Sequence, residues 1–171
     1  MTVPGRKNHA SDNMKTRMAV LGDAERITAL INLAYRVEDF FKIGDRTDTG
    51  EVLARMKKGT FLLLGDDGGP LAGCVYVDVQ GNAGYFGMLS IDPARQGQGL
   101  GSRLIAAAED YCRNAGCTAM ELEVVDLRTE LPPFYQKLGY SETGTRPFAA
   151  HEVTKLPCHY IVMSKPLGPH G

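Results

Sequence analysis

A glycine-rich turn is the part of this 171-residue chain that is best suited to bind a ligand. Residues 91–102 read Ile-Asp-Pro-Ala-Arg-Gln-Gly-Gln-Gly-Leu-Gly-Ser and lie between an apolar, strand-like run and an amphipathic helix. Glycines at 97, 99 and 101 permit positive φ angles and let a ligand approach the main chain closely. The following helix offers free N–H groups and the positive end of its dipole. The turn therefore predicts a phosphate site, and a diphosphate suits this geometry.

The spacing of the glycines excludes two common nucleotide-binding motifs. A P-loop needs Gly-x-x-x-x-Gly-Lys followed by Ser or Thr, and no lysine occurs between Gly59 and Gln136. A dinucleotide-binding fold places Gly-x-Gly-x-x-Gly after its first strand. Here the spacing is Gly-x-Gly-x-Gly, in the middle of the chain.

Two segments in the correct order resemble one known family. Residues 96–101, which follow Leu-Ser-Ile-Asp-Pro, resemble the Arg/Gln-x-x-Gly-x-Gly acetyl-CoA signature of the GCN5-related N-acetyltransferase (GNAT) superfamily. Residues 134–140, Phe-Tyr-Gln-Lys-Leu-Gly-Tyr, are similar to the segment that closes the cofactor site in that superfamily. The resemblance extends over about residues 17–167. It implies acetyl-CoA as the cosubstrate and no metal.

The resemblance also implies which residues hold the cofactor. Backbone N–H groups wrap the CoA diphosphate, and a strand segment pairs with the pantetheine arm like a neighbouring β-strand. The first set is Gln96, Gly97, Gln98, Gly99, Leu100, Gly101 and Ser102, and the second is Leu89, Ser90 and Ile91. Arg128 stands where many relatives have an asparagine that contacts the pantetheine arm, and we expect it to contact the cofactor or the acceptor. Arg95 and Arg103 either neutralise CoA phosphates or are ordinary solvated charges.

Tyr135 is the candidate proton donor, because it matches the tyrosine beside the thioester sulfur in the superfamily. Its alternative role is packing in the core. A tyrosine with a pKa of about 10 is a suitable acid for a leaving thiolate. A free backbone N–H near Leu89 is the superfamily's usual oxyanion donor.

The general base is harder to assign, because residues 84–91 contain no carboxylate where many relatives have a glutamate. Glu121 and Glu123 share one face of the next strand and are candidates to accept the proton or hold a cationic acceptor. Their alternative is that both are simply exposed. His159 is a further candidate for the general base, and its alternative is a packing or hydrogen-bonding role in the last strand.

The segment between the first two helices shapes the acceptor pocket in the superfamily. We expect Phe40, Phe41 and Arg46 to contact the acceptor there, the alternative being an ordinary helix end and loop.

Composition excludes several classes of partner. The net charge of −1 and the scattered basic residues argue against nucleic acid and against acidic membrane surfaces. No apolar run is long enough for a membrane span or a signal segment, which predicts a cytoplasmic protein. The four cysteines have no paired Cys-x-x-Cys spacing and are interpreted as reduced packing residues. The oligomeric state is not determined, and a homodimer stays open.

Hydrophobic periodicity predicts the elements that position these residues. We expect helices over residues 23–41, 48–58 and 100–114 and a short one from 130, with strands over 61–64, 71–79, 84–91, 119–125, 140–143 and 159–163. This order predicts one α/β (α+β) domain with a central mixed, mostly antiparallel twisted sheet and helices on both faces. Residues 1–16 are predicted to be disordered, residues 17–167 to form the N-acetyltransferase domain, and residues 168–171 to be a tail.

Together these features predict an acyltransferase, an N-acetyltransferase in which a bound amine attacks acetyl-CoA directly in a ternary complex. The expected acceptor is a small amine or an amino-acid-like metabolite. Two alternatives stay open: a protein N-terminus or lysine as the acceptor, and a catalytically weak acyl-CoA-binding regulatory module.

Overall fold

The computed structural model describes residues 14–65, 69–149 and 152–168. In this part of the chain, seven strands form one sheet in the order β1-β2-β3-β4-β5-β7-β6. All neighbours are antiparallel except β4 and β5, which are parallel. The strands are β1 (Lys15–Met18), β2 (Thr60–Gly65), β3 (Leu71–Gln80), β4 (Ala83–Ile91), β5 (Ala119–Val125), β6 (Ser141–Pro147) and β7 (His159–Pro166). The helices are α1 (Ala24–Ala34), α2 (Thr49–Lys58), α3 (Leu100–Asn114) and α4 (Leu131–Lys137).

Local sequence signals account for the ends of α2 and α3. The Asp48 carboxylate accepts a hydrogen bond from the Glu51 amide and caps the N-terminus of α2, and Gly59 follows its last residue. Helix α3 begins after Gly99 and ends before Gly116, whose φ of +87° suits the left-handed conformation common after a helix C-terminus. Both helices therefore begin and end close to the predicted positions.

The helices cover both faces of the sheet, as predicted. Helices α1 and α2 pack over residues such as Phe61, Leu63 and Tyr76. Helices α3 and α4 pack on the opposite face, over residues such as Leu62 and Phe86. Residues that contact the two pairs of helices alternate along β2, because successive side chains of a strand point to opposite faces of the sheet. The predicted mixed, mostly antiparallel fold is confirmed.

The first predicted helix is shorter than its periodicity indicated. Helix α1 ends at Ala34, and residues Tyr35–Glu38 continue as a 3₁₀ turn. The 3.6-residue period therefore does not continue through this turn, and Val37, expected on the buried stripe, is 54% exposed. Glu38 is buried instead.

The domain also begins earlier than residue 17. Met14 is buried, and β1 starts at Lys15 and pairs with β2 through its backbone. This edge strand has no buried alternation, so its sequence carries no strand signal. Residues 1–13, which were predicted to be disordered, and the tail residues 169–171 lie outside the described residues. Within the described ranges, no helix is both long and apolar enough to cross a membrane.

The pairing of β4 with β5 is the feature that positions a site. The parallel ladder joins only Ala83–Tyr85 of β4 to Ala119–Glu121 of β5. Beyond Tyr85 the two strands separate, while β5 stays paired with β7 along its whole length. The sheet therefore opens between β4 and β5, toward the glycine turn.

Candidate active site

A cleft of about 1180 Å³ occupies the opening between β4 and β5. One wall is the end of β4 with Leu89 and Ile91, and the other is residues 122–125 of β5. The glycine turn and the start of α3 form one end of the cleft, and the segment after α1 forms the other. The cleft thus joins the predicted cofactor residues to the predicted acceptor region.

A β-bulge shapes the β4 wall. Cys74 of β3 pairs with Ser90, and Tyr76 pairs with Gly87, so Val75 lies opposite both Met88 and Leu89. Met88 has a φ of +51°, a strained backbone conformation for a residue other than glycine. The extra residue reverses the alternation, since Met88 packs on the α1 face and Leu89 on the α3 face. The bulge therefore turns Leu89 and its backbone toward the cleft.

The glycine turn has the conformation that its sequence predicts, with one difference. Gly97 and Gly99 have φ angles of +81° and +73°, whereas Gly101 lies in the first turn of α3 and has no positive φ. A Cβ atom at Gly97 or Gly99 would meet no heavy atom within 4 Å, so the turn borders open space. This open, glycine-lined cradle at a helix N-terminus fits a diphosphate.

Most of the predicted cofactor residues border the cleft. They are Leu89, Ile91, Gln96, Gly97, Gly99, Leu100, Gly101, Ser102 and Arg128. Gln98 is exposed and is not part of the lining. The Ser90 side chain is buried and donates a hydrogen bond to the Met88 carbonyl at 3.0 Å, so it faces away from the cleft. Arg95 borders the cleft, whereas the Arg103 guanidinium contacts the Met14 carbonyl.

Tyr135 lies on α4 in a cluster of aromatic rings that borders the cleft. Its ring centroid is 6.0 Å from that of Phe86 and 6.0 Å from that of Tyr140. Its hydroxyl forms no hydrogen bond with the described residues, although Tyr135 lines the cleft. Burial raises the pKa of Tyr135 to about 12, and the nearby Arg128 charge partly offsets this effect. Tyr135 is therefore protonated at neutral pH and is a weaker acid than an exposed tyrosine.

Arg128 is held by the buried carboxylate of Glu38, which was not among the predicted site residues. Its Nη1 lies 3.0 Å from Glu38 Oε2, and its Nε donates to Glu130. Burial raises the pKa of Glu38, and the Arg128 charge opposes that rise. The ion pair joins the segment after α1 to the loop after β5. Glu38 follows the buried Ile31 and the half-buried Ala34 at helical spacing, and that placement of a carboxylate was the available signal.

Glu121 and Glu123 lie on the same face of β5, as predicted, but in different surroundings. Glu123 borders both the cleft and a neighbouring side pocket of about 490 Å³, whereas Glu121 borders the side pocket alone. The Glu123 side chain is 13% exposed and is bound by Arg146, and the Glu121 side chain is 40% exposed. Of the two, Glu123 is the carboxylate beside the cleft.

The structure separates the three predicted acceptor residues. Arg46 lines the cleft, with its guanidinium carbon 5.3 Å from the centre of the Tyr35 ring. Phe41 is completely buried, and Phe40 is 51% exposed. Neither phenylalanine belongs to the cleft lining. Lys42, the next residue, does line it and was not selected from the sequence.

His159 and the cysteines lie apart from this chemistry. The His159 ring is 3.4 Å from Asp126 Oδ2 and outside the cleft lining. The four cysteines are free thiols, and three of them are buried. Among the described residues, no cluster of three or more His, Cys, Asp or Glu side chains is arranged to hold a metal.

Two curated proteins are similar to part of this chain. A blasticidin-S acetyltransferase of Streptomyces morookaense is 39% identical over 80 residues, which cover 46% of this chain and 57% of that protein. An IAA acetyltransferase of Azospirillum brasilense is 30% identical over 101 residues, which cover 58% and 63% respectively. The matches thus span about three fifths of the length of these relatives.

The fold is shared with solved structures. The structure of yncA from Salmonella typhimurium with its cofactor acetyl-CoA superposes with a TM-score of 0.71 at 22% identity, covering 93% of this chain and 96% of that chain. The model described as the Acetyltransferase (GNAT) family matches residues 26–140, which is more than half of the sequence. The resemblance found in the sequence is thereby confirmed, and this chain belongs to the Acetyltransferase (GNAT) family.

Proposed function

We propose that this protein is an acetyl-CoA-dependent N-acetyltransferase whose acceptor is the primary amine of a small molecule. The observation that carries the proposal is the early end of the β4–β5 ladder at Tyr85 and Glu121, which leaves strand backbone free beside a glycine-lined helix N-terminus. The names of the relatives, which are acetyltransferases of small molecules, support the same activity.

The chain's own backbone would hold the cofactor. The N–H groups of residues 97–102 are suited to the diphosphate, because the helix dipole and the unpaired donors both favour an anion. The freed backbone at Leu89 and Ile91 is suited to the amide groups of the pantetheine arm. Acetyl-CoA bound there would supply an activated acetyl thioester for attack by the amine.

Tyr135 would donate its Oη proton to the sulfur that leaves. Its hydroxyl has no competing hydrogen bond with the described residues, and its pKa of about 12 keeps it protonated before the reaction. The Arg128 charge favours the tyrosinate that forms as the proton moves. A backbone N–H at the bulge near Leu89 would stabilise the developing oxyanion.

Glu123 would accept the proton from the attacking amine. It is the less exposed of the two β5 glutamates, and it borders the cleft from the face opposite the α3 side. β4 itself offers no carboxylate, since residues 84–91 are Gly-Tyr-Phe-Gly-Met-Leu-Ser-Ile. We therefore assign the base to the neighbouring strand, β5.

The test is a calorimetric titration with acetyl-CoA, followed by a thiol-release assay across a panel of small primary amines. We expect saturable binding and amine-dependent thiol release, with mass spectrometry detecting the acetylated amine. A reaction without amine measures hydrolysis and is the blank. Absence of acetyl-CoA binding by folded protein would contradict the proposal. Tight binding without turnover of any amine would instead favour a regulatory acyl-CoA-binding module.

A further inference from the structure

Two cations at the acceptor end of the cleft make no direct ion pair with the described residues. Lys42 and Arg46 both line the cleft and are partly buried. Neither side chain forms a hydrogen bond or an ion pair with any residue in the described ranges. Arg128, the other partly buried arginine near this end, is paired with carboxylates. It binds Glu38 at 3.0 Å and also contacts Glu130. Removing an unpaired cation partly from water in a concave site costs free energy, and an anionic ligand would offset that cost.

The Arg46 guanidinium is held in place without using its hydrogen-bond donors. It lies over the face of the Tyr35 ring, with its central carbon 5.3 Å from the ring centre. Stacking of this kind fixes the plane of the guanidinium and leaves the N–H groups at its edge available. Arg46 is thus prepared to bind a carboxylate or a phosphate through two parallel hydrogen bonds.

The backbone of Lys42 is fixed by contacts with a distant segment. Lys42 forms a β-bridge with Thr154, and the Lys155 amide donates to the Phe41 carbonyl at 2.7 Å. The Lys155 ammonium donates to the Asp39 carbonyl at 2.9 Å. These contacts hold the segment that carries Lys42 against the edge of the cleft.

Carboxylates face the two cations, but none of them forms an ion pair with Lys42 or Arg46 within the described ranges. Burial lowers the pKa of Lys42, and the next cause is the positive charge of Arg46, so the two cations repel each other. Glu38 faces the pair, but Arg128 already binds it. Glu51 also faces both cations, but its carboxylate binds Thr47 and Arg55. Glu152 faces Lys42, with its Oε2 3.5 Å from the Tyr160 hydroxyl. An anionic group between Lys42 and Arg46 would relieve the repulsion.

We propose that Lys42 and Arg46 bind an anionic substituent of the acceptor, either a carboxylate or a phosphate. The acceptor is then a small amine with a negatively charged group, in the manner of an amino acid or an amino-sugar phosphate. The cleft wall also carries two stacked aromatic rings, those of Phe148 and Tyr160, whose ring centroids are 4.3 Å apart. This inference rests on the proposed acetyltransferase function and specifies its substrate class.

The test compares acceptors that differ only in the anionic group. Thiol release is measured with each amino acid against its amide, and with glucosamine 6-phosphate against glucosamine. We expect kcat/KM at least tenfold higher for the anionic member of the productive pair, and the identity of that pair distinguishes carboxylate from phosphate. Neutral members that react equally well would overturn the inference.

Three variants identify the residues responsible. Arg46→Gln and Lys42→Gln should raise the KM of the anionic acceptor about ten- to hundredfold while kcat and the KM of acetyl-CoA stay near wild type. Arg46→Lys should recover part of the loss because it keeps the charge. Lys57→Gln, an exposed lysine at the end of α2, is the matched control and should have no effect. Equal loss with anionic and neutral acceptors would indicate a merely structural role.

A binding measurement separates this inference from the proposed function. If no amine turns over, protein saturated with CoA is titrated calorimetrically with glycine, glucosamine 6-phosphate and inorganic phosphate. Binding to wild type that Arg46→Gln abolishes supports the anion site even without catalysis. No anion binding by wild type or variant would overturn it, whatever the outcome with acetyl-CoA.

Discussion

The left-handed conformation of Gly99 leads to a quantitative prediction about cofactor binding. Gly99 has a φ of +73° and immediately precedes α3, and a Cβ atom there would meet no heavy atom within 4 Å. The Cβ atom of Gly99→Val therefore makes no clash in the free protein, and the main cost of the substitution is conformational strain of about 1–3 kcal/mol.

This strain must lower cofactor affinity by one of two routes. If the turn relaxes to a negative φ, its N–H groups no longer converge, and binding must restore the strained form. If the turn keeps its conformation, the added side chain occupies the open space assigned to the diphosphate. Since about 1.4 kcal/mol corresponds to a tenfold change, we expect the Kd of acetyl-CoA to rise about 5- to 150-fold.

Gly116 provides a matched control at the other end of α3. Its φ is +87°, and a Cβ atom there would also meet nothing within 4 Å. Gly116→Val should therefore lower the free energy of unfolding through the same strain, without changing acetyl-CoA affinity.

The two variants are compared by isothermal titration calorimetry and by urea unfolding. Circular dichroism verifies that both are folded. Unchanged acetyl-CoA affinity in folded Gly99→Val would refute the assignment of the diphosphate to this turn. An equal loss of affinity in Gly116→Val would show that helix stability, not the turn, controls binding.

Three further predictions test the remaining roles. Tyr135→Phe should lower kcat about tenfold or more with little change in acetyl-CoA affinity, measured by thiol release and calorimetry; an unchanged kcat would exclude the proton-donor role. Glu123→Gln should lower kcat/KM about tenfold to a hundredfold, whereas Glu121→Gln, outside the cleft lining, should change it little; equal effects would contradict the assignment of the base. Asp23→Asn should lower the free energy of unfolding by about 1–2 kcal/mol at pH 7, because buried Asp23 accepts hydrogen bonds from two half-exposed arginines. The Arg17 guanidinium, foremost among these partners, holds the pKa of Asp23 well below its ordinary value of about 3.9, so this stabilisation is present above that value and is lost as the pH falls below it. The difference in the free energy of unfolding between the two proteins, measured by urea titration, should therefore shrink from pH 7 to pH 3, and a constant difference would contradict the ion pairing.

Much of the local structure could be predicted because its signals lie close together in sequence. The cap of α2 at Asp48 and the glycine turn before α3 depend on residues within one or two turns of each other. Strand β5 was predicted with its observed bounds because its alternation is complete within Ala119–Val125. The Phe-Tyr segment likewise formed α4, with Tyr135 beside the cleft.

The sequence by itself determined the family resemblance, the main elements and the glycine turn, because each depends on short-range spacing. Only the tertiary structure decided the bulge at Met88, since it arises from the register between β3 and β4. The same is true of the ion pair between Glu38 and Arg128, which are 90 residues apart in the chain. The tertiary structure also decided that Phe41 is buried in the core and that Lys42 and Arg46 line the cleft. Burial and charge pairing depend on which distant segments meet, and no local pattern of residues encodes that.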